Sequence, residues 1–297
     1  MPTQGPKNAS GVTYGDGSQS VLAYTLFLDA APTDEIREAT LAQLVDAIAA
    51  TSNHPTTGTV HLFLDLAVSI STVWNRSCRA GIIGTKWLPE ALAKAHRPDV
   101  ALDMVLQTGA PSWMDQIAHN ATTVWENWEW FVGPNMNSHN HPALTSIGAW
   151  LWRWLAGIRI AEEPTEPGYG GAYSHVTLAP YESIVKDHTR ISSASATLPT
   201  THGVVSLAWE FEDGKLHVNT TLPPNTAGTV LLPPTFGRSW AEVREGGAVI
   251  YQQGASLLDG EAAGLPGLHG IHGDPERLSI CIGGGDFAFA ATLGPLK

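Results

Sequence analysis

Tryptophan is concentrated in one part of this chain, beside carboxylate and amide side chains. Seven of the eleven tryptophans lie in this part: Trp113, Trp125, Trp128, Trp130, Trp150, Trp152 and Trp154. Among them lie the acidic residues Asp115, Glu126 and Glu129, and the polar segment 135–141 (NMNSHNH). Flat apolar rings pack on the C–H face of a pyranose, while carboxylates and amides bind its hydroxyl groups. These residue types therefore indicate a carbohydrate site.

Glu126 is the first candidate for chemistry at such a site, because it lies between Trp125 and Trp128. A carboxylate between aromatic rings is partly desolvated and can act as an acid or base near neutral pH. Some of these residues also have a purely structural interpretation. Glu129 is equally well interpreted as an ordinary solvated carboxylate, and Trp154 falls on an apolar helical stripe that is expected in the core.

The sequence predicts neither a metal nor a cofactor. His139 and His141 have no third ligand at helical spacing, so we expect a loop pair that hydrogen-bonds a sugar or the backbone. The chain contains no GxSxG nucleophile motif and no GxxxxGK[ST] phosphate loop. Sequence patterns for these other kinds of catalysis are therefore weak.

Composition excludes other classes of partner. The net charge of -12 disfavours binding to nucleic acid or to an anionic membrane. With 43% hydrophobic and 15% charged residues the chain is globular in character, and no apolar run reaches the length of a membrane span. The first residues, MPTQGPKNAS, lack the features of a signal peptide, whereas four glycosylation sequons would fit a secreted protein. Both compartments, secreted and cytoplasmic, therefore stay open, as does the oligomeric state.

The first half of the chain has helical periodicity. Thr33 is a predicted N-cap, followed by an apolar stripe at Leu41, Leu44, Val45 and Ile48. Further helices are predicted at 18–30, 87–95, 98–107, 112–119 and 142–158. The last of these has the stripe Leu144, Ile147, Leu151, Trp154 and Ile158.

The second half has the two-residue period of strands. Apolar residues alternate through 205–211, Asp213-Gly214 is a hairpin turn signal, and the alternation resumes through 216–222. More strands are predicted at 228–232, 247–251, 277–282 and 286–292, which together favour an antiparallel β-sandwich. The segment 164–173 (PTEPGYGGAY) reads as a linker, so we predict a helical domain at 1–163 and a β-sandwich domain at 164–297.

Several segments resemble the bacterial-type α-L-rhamnosidase family over nearly the whole chain. They are NHPTTG at 53–58, ATTVWENWEW at 121–130, and the longer stretches 81–113, 136–158 and 202–233. The resemblance implies a multidomain fold of α and β parts. These are a partial (α/α)6 six-hairpin glycosidase barrel, as the catalytic domain, and a C-terminal antiparallel β-sandwich.

The resemblance also implies an inverting hydrolase that releases terminal α-L-rhamnosyl residues from a rhamnose-containing oligosaccharide or glycoside. One carboxylic acid protonates the leaving oxygen, and a second carboxylate, about 6.5–9.5 Å away, activates water. The family's general base corresponds to Glu126, and its sugar-binding His corresponds to His141, preceded by Asn140. Trp125 and Trp128 correspond to walls of the sugar site.

The sequence departs from the family pattern in two ways. The family's general acid lies upstream in the barrel, and we expect about six helices here where the full barrel has twelve. Without leaving-group protonation the rate would fall on the order of 10²–10⁴-fold. Residues 59–80 form an atypical insert, interpreted either as translated non-coding sequence or as a hairpin at the cleft rim. A catalytically inactive carbohydrate-binding protein and a non-functional truncated product are therefore alternatives to an active enzyme.

Overall fold

The computed structural model describes Tyr14 and residues 17–49, 82–128, 138–160, 171–258 and 264–295. The chain divides into two compact units, residues 1–150 and 151–297. The atypical insert and the predicted domain boundary at 163/164 both lie outside the described residues, so both stay predictions.

The first unit is helical. Its helices are α1 (Gln19–Phe27), α2 (Asp34–Ala49), α3 (Ile82–Lys94), α4 (Pro98–Leu106), α5 (Trp113–Ala118), a 3₁₀ turn (Ala143–Ser146) and α6 (Ile147–Trp150). The predicted N-cap is confirmed, because the Thr33 hydroxyl oxygen accepts a hydrogen bond from the N–H of Ile36 at 3.3 Å. Leu44 and Ile48 of the predicted α2 stripe are fully buried. Helix α1 packs on α2 and α3, and α3 packs on α4, so apolar faces of these helices form one core.

The predicted helix at 142–158 is wrong as a single α-helix. The 3₁₀ turn and the short α6 are followed, at the start of the second unit, by a π-helix at Leu151–Ala156 and by strand β1. The N–H of Gly157 reaches back five residues to the carbonyl of Trp152 at 3.1 Å, the spacing of a π-turn. A stripe drawn at 3.6 residues per turn is therefore not maintained, and Trp154, expected in the core, is half-buried while Trp150 is buried.

The second unit is mostly β-structure. Its strands are β1 (Ile158–Ile160), β2 (His175–Leu178), β3 (Ser193–Thr200), β4 (Gly203–Glu212), β5 (Lys215–Leu231), β6 (Trp240–Glu245), β7 (Ala248–Gln252), β8 (Ala255–Ser256), β9 (Leu268–Asp274) and β10 (Arg277–Leu293), with one short helix, α7 (Ile184–Asp187). Neighbouring strands pair antiparallel, except that β2 pairs parallel with β5. The buried positions of β4 are Val205, Leu207, Trp209 and Phe211, which confirms the alternation predicted there.

Two long strands pair with different neighbours along their lengths. Strand β5 pairs with β4 through its first part and with β2 through its last part, and β10 pairs first with β9 and then with β6. The pairing of β5 with β10 shifts register between Gly283 and Gly285. A Cβ atom on Gly284 would lie 2.4 Å from the carbonyl oxygen of Pro223, so glycine permits the close approach of the two strands at this irregularity. The change of neighbours along β5 and β10 joins the strand pairs at both of their ends into one sheet.

Strand β4 also holds the end of the π-helix. The indole N–H of Trp209 donates to the carbonyl oxygens of Leu155 and Ala156, at 3.1 and 3.2 Å. These two carbonyls would otherwise lack partners at the helix end.

In the part of the chain that the structure describes, no helix combines the length and apolarity needed to cross a membrane.

Candidate functional site

Two loops of the helical unit lie side by side and carry all five of the predicted site residues. The N–H of Glu126 donates to the carbonyl of Ser138 at 3.0 Å, and the N–H of His141 donates to the carbonyl of Val124 at 2.9 Å. The Thr123 hydroxyl also donates to the carbonyl of His139. This ladder of main-chain pairs brings the Glu126 segment against the segment that carries Asn140 and His141.

Helix α5 supports the Glu126 loop from its other side. Ser112 caps the helix, since its hydroxyl oxygen accepts the N–H of Asp115 at 3.0 Å. Gln116, 2% exposed, then extends its side chain to the loop. Its Oε1 accepts the N–H of Trp125 at 3.3 Å, and its Nε2 donates to the carbonyl of Asn127 at 3.2 Å. The sequence alone does not point to Gln116, because a glutamine within a short helix has no distinctive pattern.

The predicted wall tryptophans occupy different environments. Trp125 is only 2% exposed, and its indole packs edge-on against the His139 ring with centroids 6.0 Å apart. Trp128 is half-buried and forms a T-shaped pair with Trp113, at 4.9 Å and 83°. The Trp113 indole N–H donates to the buried carbonyl of Leu144 at 3.0 Å. Both indoles therefore stabilise the loop, and a role for Trp125 and Trp128 as walls of a sugar site stays a prediction.

The hydrogen bonds of His141 define which ring nitrogen is free to donate. The Ala143 N–H donates to Nδ1 of His141 at 3.2 Å, so the proton of the neutral ring lies on Nε2. The imidazole thus has an N–H donor for a ligand hydroxyl. The neighbouring Asn140 is exposed, and its N–H and carbonyl both bond the Ser138 hydroxyl, at 3.1 and 2.9 Å.

The remaining candidates contribute less to this arrangement. Glu129, Trp130 and residues 135–137 lie outside the described residues. Asp115 lies on α5, where one of its carboxylate oxygens is 3.6 Å from Nδ1 of His119. Among the described residues no group of three or more His, Cys, Asp and Glu side chains could hold a metal ion.

The arrangement combines a carboxylate with polar hydrogen-bonding groups on two connected loops. Glu126 and His141 are half-buried and Asn140 is exposed, so all three retain some access for a ligand. A carboxylate accepts protons, and an imidazole N–H and a carboxamide bind hydroxyl groups. General-base activation of a water beside a polyhydroxylated ligand is the chemistry that these groups can perform.

Two family models match the chain in succession. The model described as the bacterial alpha-L-rhamnosidase 6 hairpin glycosidase domain matches residues 64–155. The model described as the bacterial alpha-L-rhamnosidase C-terminal domain matches residues 157–247. The first match contains the Glu126 and His141 loops, and the second covers β1 to β6 of the sheet and the first turn after them.

Curated relatives and solved structures agree with these models. An alpha-L-rhamnosidase of Streptomyces avermitilis is 31% identical over 231 residues, 76% of this chain and 19% of the relative. One of Formosa agariphila is 33% identical over 161 residues, 52% of this chain and 16% of the relative. The chain therefore spans less than a fifth of the length of these relatives.

Among solved structures, an alpha-L-rhamnosidase of Dictyoglumus thermophilum matches with a TM-score of 0.68 at 25% identity, over 93% of this chain and 25% of that one. The Streptomyces avermitilis enzyme complexed with L-rhamnose matches with a TM-score of 0.67 at 25% identity, over 95% and 22% of the two chains. The predicted combination of a six-hairpin glycosidase part and a β-rich C-terminal part is thus confirmed.

Proposed function

Because this chain belongs to the bacterial α-L-rhamnosidase family, we propose that its helical unit carries the water-activating side of a glycosidase active site. The substrate class is a terminal α-L-rhamnosyl group of an oligosaccharide or glycoside. One observation carries the proposal: Glu126 is bonded through its main chain to the loop of Asn140 and His141, inside the segment that matches the six-hairpin model. A relative in complex with L-rhamnose supports the choice of sugar.

In this proposal Glu126 is the general base of an inverting hydrolysis. Its carboxylate takes a proton from a water molecule while the water oxygen attacks the anomeric carbon from the face opposite the leaving group. The glycosidic C–O bond breaks, and the leaving oxygen receives a proton from a second carboxyl group. Nε2–H of His141 and the side chain of Asn140 bind sugar hydroxyl groups and hold the ring in place.

The second carboxyl group is proposed to lie upstream in the six-hairpin domain, as the family resemblance implies, within the more than four fifths of the relatives' length that this chain does not span. An aryl α-L-rhamnoside with a good leaving group reduces the demand for that acid, because its phenolate leaves with little protonation. Such a substrate therefore reports on the base side of the reaction.

The test compares the 297-residue chain with its Glu126→Gln variant on an aryl α-L-rhamnoside, and measures L-rhamnose binding by calorimetry. We expect slow turnover with release of the β-anomer, observed by NMR, in the unmodified chain. Glu126→Gln should lower turnover on the order of 10²-fold or more while L-rhamnose still binds.

Turnover by Glu126→Gln within a few-fold of the unmodified chain would exclude Glu126 as the base. Binding of L-rhamnose without any turnover would instead favour a carbohydrate-binding protein that lacks hydrolytic activity. Absence of both binding and turnover would contradict the proposal as a whole. A broad, non-cooperative thermal transition of the same sample would then identify a product without a stable fold.

A further inference from the structure

We infer that Gln116 is the positioning residue for Glu126, a role that rests on the proposed function for its catalytic meaning. The side chain of Gln116 bonds the main chain immediately before and immediately after Glu126. Its Oε1 accepts the N–H of Trp125, and its Nε2 donates to the carbonyl of Asn127. One amide group thus holds both peptide neighbours of the proposed base.

The amide of glutamine suits these two partners through its chemistry. The Trp125 N–H can only donate and the Asn127 carbonyl can only accept, so the partner must offer one acceptor and one donor at the end of one side chain. Since the partners differ, they also define the orientation of the amide, with Oε1 toward Trp125. A methionine of similar length would fill the same volume and satisfy neither group.

Burial makes the hydrogen bond to Trp125 difficult to replace. Gln116 and Trp125 are each 2% exposed, so water has little access to the Trp125 N–H once its partner is removed. A buried donor or acceptor without a partner bears its full desolvation penalty. The loop would therefore have to move, and the displacement would occur at the residues next to Glu126.

The main chain at Gln116 is itself fixed by hydrogen bonds around helix α5. It lies on α5, whose first turn is capped by Ser112 and whose Trp113 indole bonds the carbonyl of Leu144. The main-chain carbonyl of Gln116 accepts the N–H of Ala121 at 3.0 Å, where the chain leaves the helix toward the loop. With Ser138 bonded to Glu126 on the other side, the Glu126 peptide is held between α5 and the 138–141 loop.

The experiment uses Gln116→Met in the full chain, with Gln19→Met as the matched control. Gln19 is also a buried glutamine of the helical unit, and its Nε2 donates to the main-chain carbonyl of Ala47 at 3.2 Å, but its partner lies on α2. Amide hydrogen exchange is followed at Trp125 by NMR and over residues 121–128 by mass spectrometry. Kinetics on the aryl α-L-rhamnoside are measured in parallel.

We expect Gln116→Met to accelerate exchange at Trp125 at least tenfold, and to lower kcat about 10- to 100-fold with KM nearly unchanged, because small displacements of a reacting group are costly. Gln19→Met should leave exchange over 121–128 and kcat as they are. Equal effects of the two variants would overturn the inference, since both would then report general destabilisation.

Two further outcomes separate this inference from the proposed function. Should Gln116→Met not fold, the unmodified protein still decides, because the Trp125 amide is expected to be protected although it lies outside helices and strands. Rapid exchange there would overturn the inference. Gln116→Met could exchange faster at Trp125 while the unmodified chain shows no turnover. That result would support Gln116 as the residue that holds the Glu126 loop, and would contradict the proposed function alone.

Discussion

The main-chain N–H of Glu126 donates a hydrogen bond to the carbonyl oxygen of Ser138, across a pair of loops rather than within a helix or strand. Loops that carry functional side chains need such support, because their own backbone has no regular hydrogen-bond ladder. Here the support comes from the 138–141 loop on one side and from Gln116 of α5 on the other. The position of the Glu126 peptide is therefore determined by contacts from two separate stretches of sequence.

The ring orientation of His141 leads to a first prediction. Asparagine at this position keeps an acceptor for the Ala143 N–H but has no group that reaches the place of Nε2. His141→Asn should therefore weaken L-rhamnose binding about three- to tenfold, the cost of one hydrogen bond, with little change in the thermal midpoint. Calorimetry and a thermal melt measure the two quantities.

His188→Asn provides the control for that experiment, because His188 is an exposed histidine of the β-rich unit whose Nδ1 contacts the carbonyl of Val185 at 3.3 Å. It should bind L-rhamnose as the unmodified chain does. Nitrogen NMR of the imidazole provides a direct check of the tautomer. A proton found on Nδ1 of neutral His141 would contradict the assignment.

Trp113 leads to a second prediction. In Trp113→Phe the carbonyl of Leu144, a buried residue, loses the indole N–H that donates to it at 3.0 Å. We expect the free energy of unfolding to fall by about 1–3 kcal/mol, the penalty of a buried acceptor left without its donor. Chemical denaturation measures the change, and rotation of the Trp128 ring should alter the near-ultraviolet circular dichroism of the T-shaped pair.

The exposed Trp152 supplies the control for this substitution. Trp152→Phe should change the free energy of unfolding by no more than about 0.5 kcal/mol. An effect of Trp113→Phe within that range would show that the Leu144 carbonyl finds another donor.

Local patterns in the sequence predicted elements well where one face is buried. The N-cap at Thr33, the buried Leu44 and Ile48 of α2, and the alternation through β4 all agree with the structure. Strands β3 and β9 were not predicted, because SASATLPT and LHGIHGD have no clear apolar alternation. Their place in the sheet comes from pairing with β4 and β10, which is a tertiary effect.

Local sequence patterns did not predict features that depend on residues far apart in the sequence. A 3.6-residue stripe assumes α-helical turns, so it failed at the π-helix of Leu151–Ala156. The predicted strands at 216–222 and 228–232 are two parts of the single strand β5. The candidate base Glu126 followed from its tryptophan neighbours and the family resemblance, whereas the Gln116 anchor depends on a contact between a helix and a loop.

His175 leads to a third prediction, on pH. Its Nε2 lies 3.0 Å from the Thr229 hydroxyl, and burial lowers the pKa of its imidazole below the ordinary value. The unfolded chain therefore takes up the proton first as the pH falls, so stability is retained above the ordinary histidine pKa, about 6.5, and decreases below it. Urea unfolding at a series of pH values from 8 to 5 should reveal this decrease.

His175→Gln should make the free energy of unfolding less dependent on pH between pH 7 and 5, since the titrating group is removed while a polar side chain is kept. His202→Gln, at an exposed turn of the same unit, should leave the dependence as it is. A profile that is unaffected by His175→Gln would assign the loss of stability at low pH to other groups.

Gly157, between the π-helix and β1, leads to the last prediction. Its φ of +102° is a conformation that side chains disfavour, and a Cβ atom there would lie 2.0 Å from the carbonyl oxygen of Ala179. That atom belongs to the backbone and is held close, because the Ala179 N–H donates to the Gly157 carbonyl at 2.8 Å. Gly157→Ala should therefore destabilise the β-rich unit by at least about 3 kcal/mol, through strain and displacement of β1 from β2.

Gly214→Ala separates the strain of a left-handed backbone from the steric clash with the neighbouring backbone. Gly214 lies in the hairpin turn between β4 and β5 with a φ of +74°, but nothing lies within 4 Å of the Cβ it would acquire. Gly214→Ala should lower the free energy of unfolding by only about 1–2 kcal/mol, the penalty of a left-handed conformation without a clash. Urea unfolding followed by far-ultraviolet circular dichroism measures both variants. Equal losses of stability would mean that the Ala179 carbonyl moves aside, and that the contact between Gly157 and Ala179 does not determine the start of the sheet.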